Sequence, residues 1–440
     1  MASTYLTKTF TASNRKTFTI SFWIKRSGLT SNQCPFGAGT NHSTDRDFFA
    51  FIADSGEEDK LYFNSKISNS TVAQFYTSRR FRDINAWYHI VLAFDTTQAT
   101  NTDRMKLYVN GEQQTYQSVT YPSQNQDMNY NNTVHTVGSS ISPSDYLDGC
   151  MSHFHFIDGT QYAASTFGET DATTGEWKIN TSPSVTYGTN GFFILKDANG
   201  VTDQSGNSNN FTVGGGTLTT LQDNPSNNFS TLNTRIRTSG GAFSQVMNTF
   251  TDTSGSYQTG FSSQGMLNGQ GKYYAEFKVV SGSSLIFGIA DYKDGGIIDR
   301  IQQGQTRYLG EYSNAYGYQS SGRFYYNGSS TSANYDSFTT NDIIGLAVDM
   351  DNLKIYWHKN GTYQGAADPA SNNGYTIVAP EEAYHMGISS ASSVANANFG
   401  NSIFGTTAIS SEGTNASGEG KFEYDVPSGY TALCTKGLNL

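Results

Sequence analysis

The stretch NDIIGLAVDMDNLKIYWHKNG, from Asn341 to Gly361, is the most informative part of the sequence. Apolar residues alternate with others through each half of it, which is the period-two pattern of β-strands. One face of these strands carries Ile344, Leu346, Val348, Leu353, Ile355 and Trp357. The turn formers DMDN at 349–352 separate the halves, and Asn360-Gly361 is a strong hairpin signal. The stretch therefore predicts two antiparallel strands and two turns.

The composition predicts an all-β protein built from more than one domain. The chain has 440 residues, of which 36% are hydrophobic and 15% charged, with 45 Gly, 28 Tyr and 28 Phe. Low charge, abundant small polar residues and many aromatics suit short strands joined by polar turns. The length is large for one sandwich and sufficient for two. We therefore expect two antiparallel β-sandwiches of the jelly-roll type in tandem.

Charge, cysteines and hydropathy exclude several functional classes. The net charge is −10 and no basic cluster exceeds RRFR at 79–82, so nucleic-acid binding is not expected. No apolar run approaches the roughly 18 residues of a membrane helix, and MASTYLTKTF at the N-terminus does not have the pattern of a signal peptide. Cys34, Cys150 and Cys434 are too few and too far apart for a disulfide framework or a cysteine zinc site.

Alternating segments place one sandwich at 1–195 and the other at 246–440. TFTISFWIKR at 17–26 puts Phe18, Ile20, Phe22 and Ile24 on one face. WYHIVLAF at 87–94 and RMKLYVNG at 104–111 predict two more strands, the second ending in an Asn-Gly turn. KYYAEFKVV at 272–280 and LIFGIA at 285–290 alternate in the same way. Residues 196–245 are rich in turn formers and predict a linker.

The order of motifs resembles known families. TFTISFWIKRSG, AWYHIVLAFD, DRMKLYVNGEQ and YLDGCMSHFHFIDG, over roughly 1–195, resemble the laminin-G/concanavalin A-like lectin superfamily. GKYYAEF, FGIAD, IGLAVDMD, KNG and NFG resemble SPRY domains across most of the second half. FIDGTQYAASTFGETDATTGEW, TYGTNGFFILKD and the GYTALCT ending are similar to virion appendage proteins of tailed phages, especially marine ones. The resemblance implies binding domains of a virion protein, assembled in the host cytoplasm, without catalysis.

Tyrosines in RYLGEYSNAYGYQSSGRFYY are the candidate ligand-binding residues. A tyrosine presents an apolar ring and a hydroxyl, which suits sugar stacking or protein interfaces. The alternative is that alternate tyrosines pack the core of two strands. The candidates are Tyr308, Tyr312, Tyr316, Tyr318, Arg323, Tyr325 and Tyr326.

Acidic and amide side chains near residue 200 suggest a second candidate site. Calcium prefers oxygen ligands, and sandwiches of this kind often carry a cation in a loop. The alternative is that these residues cap their own turns. The candidate calcium ligands are Asp197, Asn199, Asp203, Asn207 and Asn209.

Catalytic patterns have little support in the sequence. A glycan hydrolase needs two carboxylates about 5–9.5 Å apart. Glu169, Asp171 and Glu176 are the nearest match, but their spacing indicates a solvated turn. His153 and His155 could pair on one strand face as zinc ligands, but no third ligand is placed near them.

Three functional hypotheses follow from the sequence. The first is an exposed tail fibre or spike that binds host-surface glycans, and it is the one we favour. The second is a head decoration or capsid fibre protein that attaches through residues 1–10 or one sandwich face. The third is a glycan depolymerase. Other virion proteins and copies of the same chain are the expected partners, and a trimer suits an appendage.

Overall fold

A computed structural model describes residues 3–29, 31–196, 200–244, 246–331 and 335–439. The chain divides into two compact units, Met1–Thr220 and Leu221–Leu440. Their boundary lies inside the segment 196–245 that the sequence predicts as a linker. Within that segment, the strand Thr212–Gly215 pairs with the first unit, and the strands Leu232–Arg237 and Gly241–Ser244 pair with the second.

Within its described residues, the first unit contains sixteen strands and two short 3-10 helices, Asn101–Asp103 and Ala164–Thr166. The strands are β1 (Tyr5–Phe10), β2 (Thr17–Arg26), β3 (Gln33–Asn41), β4 (Asp45–Phe51), β5 (Lys60–Ile67), β6 (Ser70–Arg80), β7 (Tyr88–Asp95), β8 (Met105–Val109), β9 (Glu112–Gln113), β10 (Tyr116–Thr120), β11 (Thr133–Val137), β12 (Gly149–Asp158), β13 (Gly168–Thr170), β14 (Trp177–Ile179), β15 (Phe192–Ile194) and β16 (Thr212–Gly215).

Two sheets enclose the core of the first unit. One has eight strands in the order β10-β6-β5-β4-β3-β11-β1-β16, and the other has six in the order β15-β12-β2-β7-β8-β9. Every pairing within them is antiparallel. The core contains the inward residues predicted for β2 and β8, which include Phe18, Ile20, Phe22, Ile24, Met105, Leu107 and Val109. The faces predicted from alternation are therefore confirmed.

The part of the second unit that the structure describes contains eighteen strands, one helix and two 3-10 helices, Gln364–Ala366 and Gly437–Asn439. The strands are β17 (Leu232–Arg237), β18 (Gly241–Ser244), β19 (Thr249–Asp252), β20 (Gln258–Ser262), β21 (Lys272–Ser281), β22 (Leu285–Asp291), β23 (Ala315–Gln319), β24 (Phe324–Tyr326), β25 (Ser329–Thr331), β26 (Ile343–Asp349), β27 (Lys354–Lys359), β28 (Thr362–Tyr363), β29 (Tyr375–Thr376), β30 (Tyr384–Ser390), β31 (Val394–Asn398), β32 (Ile403–Phe404), β33 (Thr407–Ala408) and β34 (Thr431–Ala432), and the helix is α1 (Ile297–Gln302).

The second unit is also a sandwich of two sheets. Seven strands follow the order β17-β20-β30-β22-β23-β24-β25. Nine strands form the other sheet, with β18-β19-β31-β21-β26-β27-β28 as its path and with β29 and β34 at its side. Trp357 is 1% exposed in the core between the sheets and donates its indole N–H to the Phe287 carbonyl at 3.2 Å, which links the two layers.

The hairpin of β26 and β27 forms as the sequence predicts. Ile344, Leu346 and Val348 lie in the core with Ile355 and Trp357 from the partner strand. In the first turn, Asp349 Oδ1 accepts from the backbone N–H groups of Asp351 and Asn352 at 3.0 and 2.9 Å. In the second, Asn360 and Gly361 have φ of 48° and 85°, the left-handed conformation that a two-residue hairpin turn requires.

The chain is nearly all β, with 44% strand and 4% helix, so the predicted fold class is confirmed. Loops and the helix add a further layer over the sheets. In the second unit, α1 packs Ile297, Ile298 and Ile301 on the outer face of the seven-stranded sheet. Among the described residues, no helix combines the length and the apolar character needed to cross a membrane.

Candidate ligand-binding surface

The predicted tyrosine site divides between the core and the surface of the second unit. On β23, Tyr316 and Tyr318 point inward and are 1% and 0% exposed. The Tyr318 hydroxyl donates to the Asp336 carbonyl, and the Tyr316 hydroxyl accepts from the Val378 N–H at 2.9 Å. These two residues pack the core, as the alternative interpretation held, and a ligand cannot reach them without unfolding the sandwich.

Tyr326 and Arg323 do not join a common surface either. The Tyr326 ring stacks on that of Tyr316 with centroids 4.9 Å apart and an interplanar angle of 9°. Tyr326 is half-buried against the core, whereas Arg323 is exposed in the turn before β24. Neither residue is therefore assigned to the ligand-binding surface.

The remaining three tyrosines lie outside the seven-stranded sheet and are joined there by Tyr257. We call these four residues, Tyr257, Tyr308, Tyr312 and Tyr325, the tyrosine surface. The Tyr308 ring lies 5.5 Å from that of Tyr257 and 6.0 Å from that of Tyr325. All four are half-buried. Tyr257, Tyr308 and Tyr312 pack on a buried apolar cluster that includes Ile301 and Leu309.

Local structure explains why these rings meet. Tyr325 lies opposite Gly317 of β23, so its ring stands over a position without a side chain. Gly310 has a φ of 89°, and a Cβ added there would lie 2.4 Å from the Tyr325 Cβ, so only glycine lets the loop cross so closely. This crossing places Tyr308 beside Tyr325. Sequence analysis missed Tyr257, whose only signal is its position directly before β20.

Hydrogen bonds and charge define the edge of the tyrosine surface. The Tyr257 hydroxyl accepts from Gln319 Nε2 at 2.8 Å, and the Arg300 guanidinium lies 5.2 Å from the Tyr312 ring centroid. Burial raises the pKa of Tyr257 and of Tyr308, which keeps both hydroxyls neutral at physiological pH. Neutral hydroxyls can donate as well as accept, which is the hydrogen-bonding character that matches a polyol.

The candidate calcium segment has a different role in the described residues. Asp203 Oδ1 accepts from the N–H groups of Phe193 and Ser205 at 2.8 and 2.9 Å. Its Oδ2 accepts from the Ser205 hydroxyl and the Asn209 N–H, both at 2.8 Å. Four donors thus occupy the carboxylate, which caps its own loop instead of offering free oxygens to a cation.

The amides of the same segment also serve as loop connectors. Asn207 Nδ2 donates to the carbonyls of Gly188 and Gly191, and Asn209 Nδ2 donates to those of Thr189 and Gly191. Asp197 and Asn199 lie outside the described residues. Within the described part of the chain, no group of three or more His, Cys, Asp or Glu side chains could hold a metal ion.

Comparison with known protein families assigns both sandwiches. Residues 2–164 match the family model described as the concanavalin A-like lectin/glucanases superfamily, and residues 272–375 match the model of the SPRY domain. The chain carries a concanavalin A-like domain and a SPRY domain in tandem. Domains of these two kinds are generally non-catalytic binding or scaffold domains.

Solved structures similar to this chain include SPRY domains. The SPRY domain of human HERC1 has 16% sequence identity and a TM-score of 0.30, and the match covers 38% of this chain and 96% of that one. The PSpry domain of TRIM65 has 11% identity and a TM-score of 0.30, and the match covers 38% of this chain and 88% of that one. The curated proteins gave no match.

The three carboxylates considered for catalysis lie on a small hairpin of the concanavalin A-like domain. Asp171 Oδ1 accepts from the N–H groups of Thr173 and Thr174 at 2.7 and 2.9 Å, and its Oδ2 lies 2.9 Å from Lys178 Nζ. The Lys178 ammonium and these two N–H groups hold the pKa of Asp171 well below its usual range. Asp171 therefore acts as a turn cap, consistent with the solvated turn that its spacing indicates.

The two candidate histidines of β12 do not form a matched pair. His153 has a φ of 49°, and the pairing of β12 with β2 shifts register between Ser152 and His155. His155 stacks on Phe193 with centroids 3.9 Å apart, and its Nδ1 lies 2.8 Å from the Tyr187 hydroxyl. The bulge breaks the simple alternation on which the predicted shared face depends.

The SPRY domain also contains a buried polar network that the sequence did not indicate. The Gly361 N–H donates to His358 Nδ1 at 3.1 Å, which leaves the ring hydrogen on Nε2, 2.6 Å from the Tyr274 hydroxyl. That hydroxyl donates to Glu276 Oε1 at 3.1 Å. Glu276 also accepts from the N–H groups of two residues in segment 412–430, which covers the outer face of the nine-stranded sheet.

Burial raises the pKa of Glu276 to about 7 and lowers that of His358 to about 4. Glu276 is 0% exposed, so no ligand reaches its carboxyl group in the folded domain. The network therefore anchors the C-terminal segment and does not belong to a surface site.

Proposed function

We propose that this chain is a non-enzymatic structural protein of a tailed-phage virion, exposed on the particle, that binds host-surface glycans. The observation that carries the proposal is the tyrosine surface of the SPRY domain. It joins rings from three separate segments on an outer sheet face, and burial raises the pKa of two of its hydroxyls, those of Tyr257 and Tyr308. Rings of this kind stack on the apolar face of a pyranose while hydroxyls at the edge bind its polar groups.

The virion context rests on the motif resemblance in both halves of the sequence. A shallow surface with a few half-buried rings binds one sugar weakly. A virion repeats its appendage proteins by symmetry, so many weak contacts add up through a high effective concentration. Attachment to other virion proteins and a homo-oligomer such as a trimer belong to this proposal.

A glycan array tests the proposal with the purified full-length protein. Saturable binding to bacterial surface polysaccharides is expected, and it should fall about tenfold in the variant Y308A/Y325A, since each stacked ring contributes about 0.5–1.5 kcal/mol. Tyr424→Ala is the matched control, because Tyr424 is half-buried in the same domain but lies over the other sheet.

The same samples test the absence of catalysis. Prolonged incubation with a bound polysaccharide should release no new reducing ends, whereas a depolymerase would release them steadily. If the wild type fails to bind and instead co-assembles with capsid shells, the head decoration hypothesis replaces the adhesin.

A further inference from the structure

A second aromatic surface lies in the concanavalin A-like domain, on the outer face of the eight-stranded sheet. Phe49, Phe63 and Phe75 on β4, β5 and β6 point into the core, so their neighbours in sequence point outward. Four rings form a row across these strands and the adjoining turn, which we call the ring row. Its members are His42, Phe48, Tyr62 and Tyr76.

The ring row is tightly packed and partly open to solvent. Successive centroids are 5.6, 6.2 and 4.5 Å apart from His42 to Tyr76. Phe48 is 6% exposed and forms the base of the row with Cys34, Ala50 and Ile52. Tyr62 and Tyr76 stand opposite each other on paired strands and are half-buried. These two adjacent tyrosine rings, inclined to each other by 39°, form a platform on the buried base.

A polar network borders the ring row and fixes its geometry. The Arg46 guanidinium lies 5.0 Å from the Phe48 ring centroid, and its Nε and Nη2 donate to Asn64 Oδ1 at 3.3 and 3.1 Å. Asn64 Nδ2 then donates to Gln74 Oε1 at 3.1 Å. Asn64 is 1% exposed, so this chain of hydrogen bonds sets the orientation of both amides.

The network also orients the Gln74 side chain beside the platform. Gln74 Oε1 takes the Asn64 hydrogen bond, so the Gln74 NH2 group is the end of the amide available to a ligand. Gln74 is half-buried and neighbours Tyr62 and Tyr76 on the same face. A binding group held in place before the ligand arrives loses little entropy on binding.

Charges of both signs surround the platform. The Arg46 guanidinium borders it at Phe48, and the Glu57 carboxylate on the Tyr76 side is paired with the Lys60 ammonium. Because no single sign of charge dominates there, the surroundings suit a neutral pyranose better than a charged sugar.

We infer that the ring row is a second saccharide site, which stacks a neutral pyranose on Tyr62 and Tyr76 and hydrogen-bonds its hydroxyls through Gln74 and Arg46. The inference rests on the proposed function for the class of ligand, but it concerns a different domain and different residues. Removal of one surface should therefore leave the other intact.

The test uses full-length protein and saturation-transfer NMR with maltohexaose, cellohexaose, mannohexaose and, as the acidic probe, hexagalacturonate. At least one neutral oligosaccharide should bind, and the variant Y62A/Y76A should weaken that binding about tenfold. Gln74→Ala should weaken it about threefold to tenfold. Tyr146→Ala, a half-buried tyrosine elsewhere in the same domain, is the control and should change nothing.

Several outcomes would overturn the inference. They are no binding of any neutral probe, stronger binding of hexagalacturonate, or neutral binding that neither Y62A/Y76A nor Gln74→Ala reduces. If the double variant does not fold, Gln74→Ala and the single variant Tyr76→Ala decide, because each removes one half-buried side chain and preserves the buried base of the row.

The two proposals fail separately. If neutral binding is lost in Y308A/Y325A and kept in Y62A/Y76A, the proposed function stands and the second site is refuted. If the reverse holds, the ring row is the saccharide site and the tyrosine surface is not.

Discussion

Replacement of Glu276 by glutamine tests whether the carboxyl group that anchors the C-terminal segment is protonated in the folded SPRY domain. Glutamine keeps the size and one acceptor oxygen, but it cannot ionise. Glu276 accepts from the N–H groups of Glu423 and Tyr424 at 2.9 and 2.8 Å, so glutamine places an NH2 group against one of them. Loss of that hydrogen bond should cost about 1–3 kcal/mol at every pH.

The pH dependence is the informative part of this prediction. The pKa of Glu276 is raised from 4.5 to about 7, with burial as the largest cause. Between these values the folded protein holds a proton that the unfolded chain has released, so the free energy of unfolding falls as pH rises. This pKa difference corresponds to a contribution of about 3 kcal/mol to the free energy of unfolding. The contribution is fully present below pH 4.5 and is lost above about pH 7.

His358 acts in the opposite direction in the same pH window. Burial lowers its pKa from 6.5 to about 4, so the unfolded chain holds the proton and stability rises with pH. The two effects partly cancel in the wild type. The difference in free energy of unfolding between wild type and Glu276→Gln isolates the contribution of the carboxyl group. Between pH 4.5 and 7.5 this difference should shift by about 3 kcal/mol in favour of the variant.

The assay is urea unfolding followed by 19F NMR of protein labelled with 5-fluorotryptophan. Trp357 is the only one of four tryptophans after residue 220, so its resonance reports the SPRY domain. Glu382→Gln, at an exposed position of the same domain, is the control. If the difference in free energy of unfolding between wild type and Glu276→Gln stays constant with pH, or moves in favour of the wild type at high pH, Glu276 is not protonated in the folded domain.

Three further predictions concern turns, core and loop. Asp349 is 1% exposed, and its carboxylate caps the hairpin turn by accepting from the Asn352 N–H. Asp349→Ala should therefore lower the free energy of unfolding by about 1–3 kcal/mol in urea titrations. Trp357→Phe leaves the Phe287 carbonyl without its indole donor and opens a cavity, so a loss of about 2–4 kcal/mol is expected in the same experiment. Asp203→Ala should lower the Tm of the concanavalin A-like domain, because its carboxylate caps the loop. EDTA should not change the wild-type Tm, and a lower Tm with EDTA would support calcium binding by this loop instead.

Strand faces were predictable where the apolar alternation and the turn residues indicate the same register. In β26 and β27 the alternation, the turn residues and Asn360-Gly361 all agree, so the hairpin could be placed almost to the residue. In the tyrosine region the same reasoning left two alternatives, because the sequence does not fix the register of short strands. Tyr326 faces the core and Tyr325 faces outward, although they are adjacent.

Layers added over a sheet could not be predicted from alternation. In β21, Tyr273, Ala275 and Phe277 face the core, which assigns Tyr274 and Glu276 to the outer face. Both are nevertheless 0% exposed, because segment 412–430 covers them. Tyr257 joins Tyr308 across a long sequence separation for the same reason, since tertiary packing and not local pattern brings them together.

Acidic loops were ambiguous in the sequence because cation ligands and turn caps use the same side chains. Asp203 illustrates this point: its position among asparagines suits calcium, but its oxygens accept four hydrogen bonds from its own loop and the neighbouring strand. Only the positions of the N–H groups distinguish the two roles.

Biolayer interferometry on bacterial surface polysaccharide tests the central claim most directly. The full-length protein would be passed over polysaccharide immobilised at low and high density, alongside the Y308A/Y325A and Tyr424→Ala variants. We predict saturable, weak binding at low density, much slower release at high density because of avidity, and a loss in Y308A/Y325A alone. Absence of saturable binding at either density, or equal binding by all three proteins, would contradict glycan adhesion through the tyrosine surface.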